Sequence, residues 1–179
     1  MQPSRPLSSS TRAVAPRGGD AVEPATVPAS GWMPEGRGKS CRPLRFLKDG
    51  AGWVELMRLE PGVRVELHRH SGEVHAYNLE GRRRLSNGQL VGPGDYVYEP
   101  PGNVDWWEAV GDRPLVVFVV VKGSVEYLGP GNTVTRVVST ASRVADYRHW
   151  CAETGTEALD LGPVDTTETR CVVTRNGAS

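Results

Sequence analysis

The stretch from Glu66 to Tyr77, ELHRHSGEVHAY, contains three of the four histidines of this 179-residue chain. In an extended strand, side chains two residues apart point to the same face. His68 and His70 therefore project together, as a pair of imidazoles bound to one metal must. A second stretch, Tyr98 to Glu108 (YEPPGNVDWWE), places Asp105 where a further clustered ligand is expected. The two stretches predict the two halves of one metal site.

The sequence around these stretches has the rhythm of short strands that end at glycine or proline. Asn87-Gly88 predicts a tight hairpin, because both residues tolerate positive φ. The run 114–121, PLVVFVVV, has the length and β-branching of a buried strand. A helix is expected from Thr140 to Glu153, stopped by Gly155. This pattern predicts an all-β antiparallel sandwich or barrel with a C-terminal α-helix.

Composition divides the chain into three segments. Residues 1–30 are rich in Pro, Ser, Gly, Arg and Ala, and predict a flexible N-terminal extension. Residues 31–155 are expected to form the folded domain with its helix, and residues 156–179 an irregular tail.

Charge and cysteine content limit the function classes. Lys and Arg balance Asp and Glu at 21 each, which argues against nucleic acid or an anionic membrane as a partner. No apolar run approaches the ~20 residues of a membrane span, and the amino terminus has no apolar signal core. Three widely spaced cysteines without a CxxC pair indicate reduced thiols. We expect a cytoplasmic protein.

Two spaced motifs resemble those of the cupin superfamily. The first runs from Gly62 to Gly81 and contains His68 and His70. The second runs from Gly94 through Pro-Pro-Gly to Asp105. The resemblance implies a jelly-roll barrel whose interior holds the metal.

The strings HRHSGEVHAYNLEG, GDYVYEPPG and VEYLGPGNTV narrow the resemblance to the 2,4'-dihydroxyacetophenone dioxygenase family, over roughly 32–155. That resemblance implies a non-haem Fe(II) enzyme that uses O2 to cleave a C–C bond beside a carbonyl. The family's first two ligands map onto His68 and His70. The resemblance also suggests a homo-oligomer.

The third metal ligand departs from the family pattern. The usual histidine of the second motif is replaced here by Asp105, and the glutamate that many cupins supply after the histidine pair falls on Val74, which cannot ligate. Our leading expectation is that Asp105 is the third ligand. Alternatively Glu73, His75 or Glu99 completes the site, with Asp105 beside the ligands or facing the substrate. As a third alternative, the site is degenerate and the barrel binds a ligand without chemistry.

Residues near the motifs are candidates for the substrate pocket. Strand alternation places Trp107 on the same face as the candidate aspartate ligand, where its ring can contact a planar substrate. His75 and Glu99 are candidate catalytic groups, and Tyr77 and Tyr98 candidate substrate contacts. The alternative for each is an ordinary structural role. The run Arg82 to Arg84 is typical of a solvated strand, with an anchor for an acidic substrate as the alternative.

The resemblance and these residues predict an Fe(II)-dependent oxygenase that uses O2 for C–C bond cleavage or ring rearrangement of a small phenolic, enolisable or heteroaromatic molecule, and natural-product biosynthesis is the expected setting. The alternatives are a redox-neutral metal-dependent isomerase or cyclase and a non-catalytic ligand-binding barrel.

Overall fold

The computed structural model describes residues 31–162. The predicted N-terminal extension and most of the predicted tail lie outside this range, so the three-segment division stays a prediction. The described residues form strands and one α-helix with these bounds: β1 Met33–Pro34, β2 Lys39–Phe46, β3 Gly52–Leu59, β4 Arg64–His70, β5 Val74–Glu80, β6 Arg82–Leu85, β7 Leu90–Val91, β8 Tyr96–Glu99, β9 Val104–Val110, β10 Leu115–Lys122, β11 Val125–Leu128, β12 Val134–Val138 and α1 Thr140–Thr154.

The strands form two antiparallel six-stranded sheets, ordered β1-β2-β3-β10-β5-β8 and β12-β11-β4-β9-β6-β7. The consecutive pair β4 and β5 lies in different sheets, as does the pair β8 and β9. The fold is a jelly roll with a C-terminal helix, which confirms the predicted fold class. Of the residues described, none lies in a helix long and apolar enough to cross a membrane.

The predicted buried strand becomes β10, at the centre of the first sheet between β3 and β5. Its alternate residues Leu115, Val117, Val119 and Val121 are all buried. Because side chains alternate along a strand, this row points into the barrel. It supplies much of the apolar wall opposite the histidine-bearing strand.

The chain passes from β5 in one sheet to β6 in the other at Gly81, which has φ +65°. A Cβ built there would lie 2.4 Å from the carbonyl oxygen of Pro114. Only glycine combines this left-handed backbone with so close an approach. The glycine that closes the first motif therefore has a geometric reason.

The helix begins and ends where the sequence predicts. The Ser139 hydroxyl accepts from the backbone amide of Ser142, whose own hydroxyl accepts from the Ser139 amide, completing a capping box. Gly155 ends the helix in the left-handed conformation. Val144, Tyr147 and Cys151 on one helix face are buried against the sheet.

Three strands, β1, β2 and β12, were not predicted, and β1 has only two residues. β2 contains Pro43, at which its register with β3 shifts, and a proline inside a run argues against a strand unless it sits at a bulge or edge. β12 lies at a sheet edge and is mostly exposed, so it lacks the apolar alternation that marks a strand.

The predicted hairpin joins β6 to β7, which pair antiparallel. Only Gly88 has positive φ there, and the Asn87 side chain accepts from the backbone amide of Gln89 instead. The hairpin is confirmed, with one left-handed residue rather than two.

Candidate metal centre

Three buried side chains converge between the sheets. The Nε2 atoms of His68 and His70 are 3.0 Å apart, and Oε2 of Glu99 is 3.3 Å from Nε2 of His70. Potential ligand atoms of all three residues lie within 4.8 Å of one another. Both histidines come from β4 and the carboxylate comes from β8 of the opposite sheet.

The turn after β8 brings the carboxylate to the histidines. Pro100-Pro101-Gly102 carries the chain between the sheets, and the Gly102 amide donates to the His70 carbonyl at 2.7 Å. The His70 amide in turn donates to the carbonyl of Asn103 at 3.1 Å. These two backbone bonds hold the end of β8 beside the end of β4. The Pro-Pro-Gly segment is therefore a positioning element for Glu99.

His68 is oriented for metal binding. Its Nδ1 lies 2.8 Å from the carbonyl oxygen of Glu66 and donates to it, which leaves the Nε2 lone pair facing the cluster. Burial and the neighbouring His70 lower the pKa of His68. The imidazole is therefore held neutral, the form that ligates. Nδ1 of His70, by contrast, is buried without a hydrogen-bond partner.

Glu99 is held as a carboxylate. Burial acts to raise its pKa, but the hydrogen bond and charge of His70 and the hydrogen bond from Asn103 outweigh it, so the pKa of Glu99 is lowered. The amide nitrogen of Asn103 donates to Oε2 at 2.9 Å. A buried, oriented carboxylate beside two imidazoles is a strong donor for a divalent cation.

The cluster lies in a cavity of about 420 Å³ between the sheets. This volume is within the range of small-molecule sites. Apolar side chains form most of its wall around the cluster: Val65, Val74, Ala76, Trp107, Val119 and Val121. The donor set suits a metal ion, since two imidazoles and one carboxylate with open positions is a common arrangement for Fe(II) and also occurs for Zn(II).

Comparison with known proteins agrees with the fold. The family model described as the ChrR cupin-like domain matches residues 21–127. The chain belongs to this cupin family.

Solved structures resemble this cupin at low identity. An RmlC-like cupin from Ralstonia eutropha JMP134 is 20% identical with a TM-score of 0.69, covering 74% of this chain and 88% of that one. A second protein with a cupin-like fold from the same strain is 22% identical with a TM-score of 0.62, covering 66% and 75%. An acetylacetone dioxygenase from Acinetobacter johnsonii is 14% identical with a TM-score of 0.64, covering 78% and 97%. No curated protein matches the chain in sequence.

Asp105 lies beside the candidate cluster of this cupin. Within residues 31–162, the cluster contains His68, His70 and Glu99 but not Asp105. It is paired in register with His68 and is buried. One carboxylate oxygen accepts from the backbone amides of Ser86 at 3.2 Å and Trp106 at 2.8 Å. Among the described residues Glu99, and not Asp105, offers a ligand atom grouped with those of both imidazoles, so the geometry favours the alternative in which Glu99 completes the set.

Three predicted pocket residues lie on the outer face of the barrel. Val74 and Ala76 of β5 point inward, so His75 and Tyr77 point outward, and Tyr98 faces outward beside Glu99. Tyr77 is 44% exposed and Tyr98 49%. This alternation places all three side chains outside the cavity, and the expected catalytic role of His75 and substrate contacts of the two tyrosines stay predictions.

His75 has partners of its own on the outer face. Its Nδ1 lies 2.6 Å from the hydroxyl of Tyr96, and its Nε2 lies 3.4 Å from the Glu73 carboxylate. Neither Glu73 nor His75 belongs to the candidate cluster of His68, His70 and Glu99. Of the predicted alternative ligands, Glu99 is the one that lies with the two histidines among the described residues.

Trp107 and Arg83 both line the cavity. Trp107 was predicted to line the substrate pocket. Arg83 was expected on a solvated strand but is only 1% exposed. The available signal was its position between two other arginines on a strand, since alternation turns the middle residue to the face opposite its neighbours.

Proposed function

We propose that this cupin is a non-haem Fe(II)-dependent oxygenase that uses O2 to cleave or rearrange a carbon framework in a small phenolic, enolisable or heteroaromatic substrate. Cleavage of a C–C bond beside a carbonyl is the specific reaction favoured by the resemblance to the 2,4'-dihydroxyacetophenone dioxygenases. The observation that carries the proposal is the buried set of two imidazoles and one carboxylate from His68, His70 and Glu99.

In this proposal His68, His70 and Glu99 hold the metal, and bound ferrous iron supplies the activation of O2. The Glu66 carbonyl fixes the tautomer of His68, and Asn103 fixes the orientation of Glu99. The protein groups thus set ligand geometry and charge before substrate arrives.

Trp107 and the valine-rich wall provide a dry surface on which a planar substrate can lie. Exclusion of water keeps electrostatic interactions inside the cavity strong. Asp105 places a second negative charge near the cluster without being one of its ligands. The predicted role of Asp105 as the third ligand is replaced here by a role in tuning charge and holding β9.

The test is anaerobic reconstitution with Fe(II), followed by oxygen-electrode screening against phenolic ketones and hydroxylated heterocycles. Substrate-dependent O2 uptake that disappears in His70→Ala is the expected result. His75→Ala is the matched control, because that histidine lies on the outer face of the barrel. Stoichiometric iron with no O2 uptake across the panel would count against an oxygenase.

The same donor set also suits Zn(II), so a redox-neutral isomerase or cyclase is the second candidate. Product formation without O2 consumption, restored by Zn(II), would favour it. Binding of substrate analogues without turnover under either metal would instead favour a ligand-binding barrel.

We further propose a homo-oligomer located in the cytoplasm. Leu79, Tyr96 and Tyr98 expose 43%, 58% and 49% of their surface on the outside of the β5–β8 edge, and such apolar exposure favours association. Cys41 and Cys151 are buried free thiols, as in proteins of a reducing compartment. Light scattering tests the first statement, and a strict monomer would contradict it.

A further inference from the structure

Arg83 is a charged side chain placed inside the barrel. It lies on β6 between Arg82 and Arg84, which are exposed, while Arg83 itself is 1% exposed and lines the cavity. Burying a guanidinium is costly unless it is paired and hydrogen-bonded. Arginine at this position therefore calls for a reason beyond strand formation.

The guanidinium of Arg83 has unused donors. Its Nε and Nη2 atoms are buried and have no hydrogen-bond partner. The Cζ atom of Arg83 lies 5.0 Å from the ring centre of Trp107. This cation–π contact positions the guanidinium but does not provide a hydrogen-bond acceptor for its donors. Burial lowers the pKa of Arg83, yet a guanidinium remains charged at neutral pH. A charged guanidinium whose N–H donors have no partner is suited to bind an anionic acceptor.

The register of the strands determines the position of the Arg83 guanidinium. Along β9 the inward row is Asp105, Trp107 and Ala109; Asp105 is opposite His68 on β4, and Ala109 is opposite Arg83 on β6. Each inward step covers two residues, about 7 Å. Since the guanidinium lies over the ring of Trp107, its level along β9 is about one two-residue step from the level of His68.

The sum of the charges at this end of the cavity also favours binding of an anion. Glu99 and Asp105 carry two negative charges and Arg83 one positive charge, while ligating His68 and His70 are neutral. A divalent cation on the cluster would give this group one excess positive charge. Inside a low-dielectric cavity that excess favours a bound monoanion.

We propose that Arg83 is a specificity-determining residue that binds the carboxylate of the substrate, so that the substrate is a small planar organic acid held between the metal and this guanidinium. The inference rests on the proposed metal site and narrows the substrate class from phenolic or enolisable molecules to those that carry a carboxylate. The carboxylate accepts in-plane bonds from the fork while the carbon framework lies along Trp107.

The experiment compares benzoate with benzamide by anaerobic calorimetry on the full chain reconstituted with Fe(II). The two probes have similar shape and differ in charge. We expect benzoate to bind wild type at least about tenfold more tightly, as for a charge-assisted hydrogen bond. Arg83→Met should lose about 10- to 100-fold in benzoate affinity with little change for benzamide. Arg82→Met, on the exposed neighbour, should match wild type.

Equal affinity of wild type for the two probes would overturn the proposal, as would an Arg83→Met variant that keeps full iron and wild-type benzoate affinity. If Arg83→Met does not fold or load iron, Arg83→Lys decides, because it keeps the charge and loses the fork. Benzoate affinity reduced severalfold in Arg83→Lys at full iron content supports the anchor, and unchanged affinity rejects it. Iron content is measured separately, so a failed metal site is distinguished from a failed anchor.

Discussion

At the scale of single residues, the chemistry of this cupin depends on which side chains point into the barrel. Glu99 faces inward because β8 pairs with β5 in the register Val74 to Glu99, and Val74 is an inward residue. Its carboxylate then meets Nε2 of His70. The neighbouring Tyr98 is turned to the outer face by the same pairing.

Measurements of Fe(II) affinity should distinguish the role of Glu99 from that of Asp105. We expect Glu99→Gln to lower Fe(II) affinity by more than about 100-fold, and Asp105→Asn by about tenfold, the smaller effect typical of a residue outside the ligand set. Anaerobic titration with Fe(II), read by metal content after gel filtration, measures both. His75→Ala on the outer face is the control. A larger loss in Asp105→Asn than in Glu99→Gln would restore Asp105 as the ligand.

The lowered pKa of His68 predicts a pH-dependent stability of the metal-free protein. In the unfolded chain this group titrates near about pH 6.5, so below that value the unfolded state binds more protons than the folded state. The stability contributed by neutral His68 is thus present above about pH 6.5 and lost as pH falls through the lowered folded pKa.

Urea unfolding of metal-free protein across the acidic range, with His68→Gln alongside, measures this contribution. The wild type should lose stability more steeply than the variant on acidification. Parallel curves for the two proteins would show that burial does not perturb this histidine.

At the scale of elements, caps and turns define where each segment stops. Ser139 and Ser142 close the start of α1, and Gly155 closes its end. Gly81 allows β5 and β6 to separate into different sheets against the backbone of Pro114. These are local rules, and the sequence expresses them directly.

Removal of the helix cap should have a measurable cost. We expect Ser139→Ala to lower the free energy of unfolding by about 1 kcal/mol, because an amide at the start of α1 loses its acceptor. Chemical denaturation measures the change. Arg148→Ala, at an exposed position of the same helix, should change stability by less than about 0.5 kcal/mol. Equal effects at the two sites would show that the cap does not contribute.

At the scale of the whole molecule, a buried ion cluster attaches α1 to the barrel. Arg143 donates to both carboxylate oxygens of Glu55 on β3, at 2.7 and 2.6 Å, and also pairs with Glu35. Arg143 exposes 6% of its surface and Glu55 exposes 2%. These side chains line the same cavity as the candidate metal cluster, so the helix helps to close the barrel.

Loss of one member of this cluster should be costly. We expect Arg143→Met to lower the free energy of unfolding by about 3–5 kcal/mol, because Glu55 is left buried without its partner. The double variant Glu55→Leu/Arg143→Leu should recover most of that loss, since it removes both charges. Urea denaturation of the single and double variants provides the measurement. A double variant as unstable as the single one would attribute the loss to packing rather than to charge.

The sequence predicted those features that depend on neighbouring residues. Alternation and punctuation by glycine and proline indicated most strands and an antiparallel sandwich or barrel, and Gly155 marked the end of the helix. The jelly roll was implied by the resemblance of the two spaced motifs to those of cupins. The pairing of His68 with His70 follows from strand periodicity alone. By contrast, β2 with its internal Pro43 gave too weak a local signal.

Which residues meet across the barrel was decided only by the tertiary structure. Whether Glu99 or Tyr98 faces inward cannot be read from a four-residue strand, because a shift of one residue reverses every side chain. The register of β5 with β8 settles that question, and the register of β6 with β9 places Arg83 beside Trp107. Long-range pairing assembles the donor set and its charged neighbour from different strands, and no local pattern in the sequence contains that information.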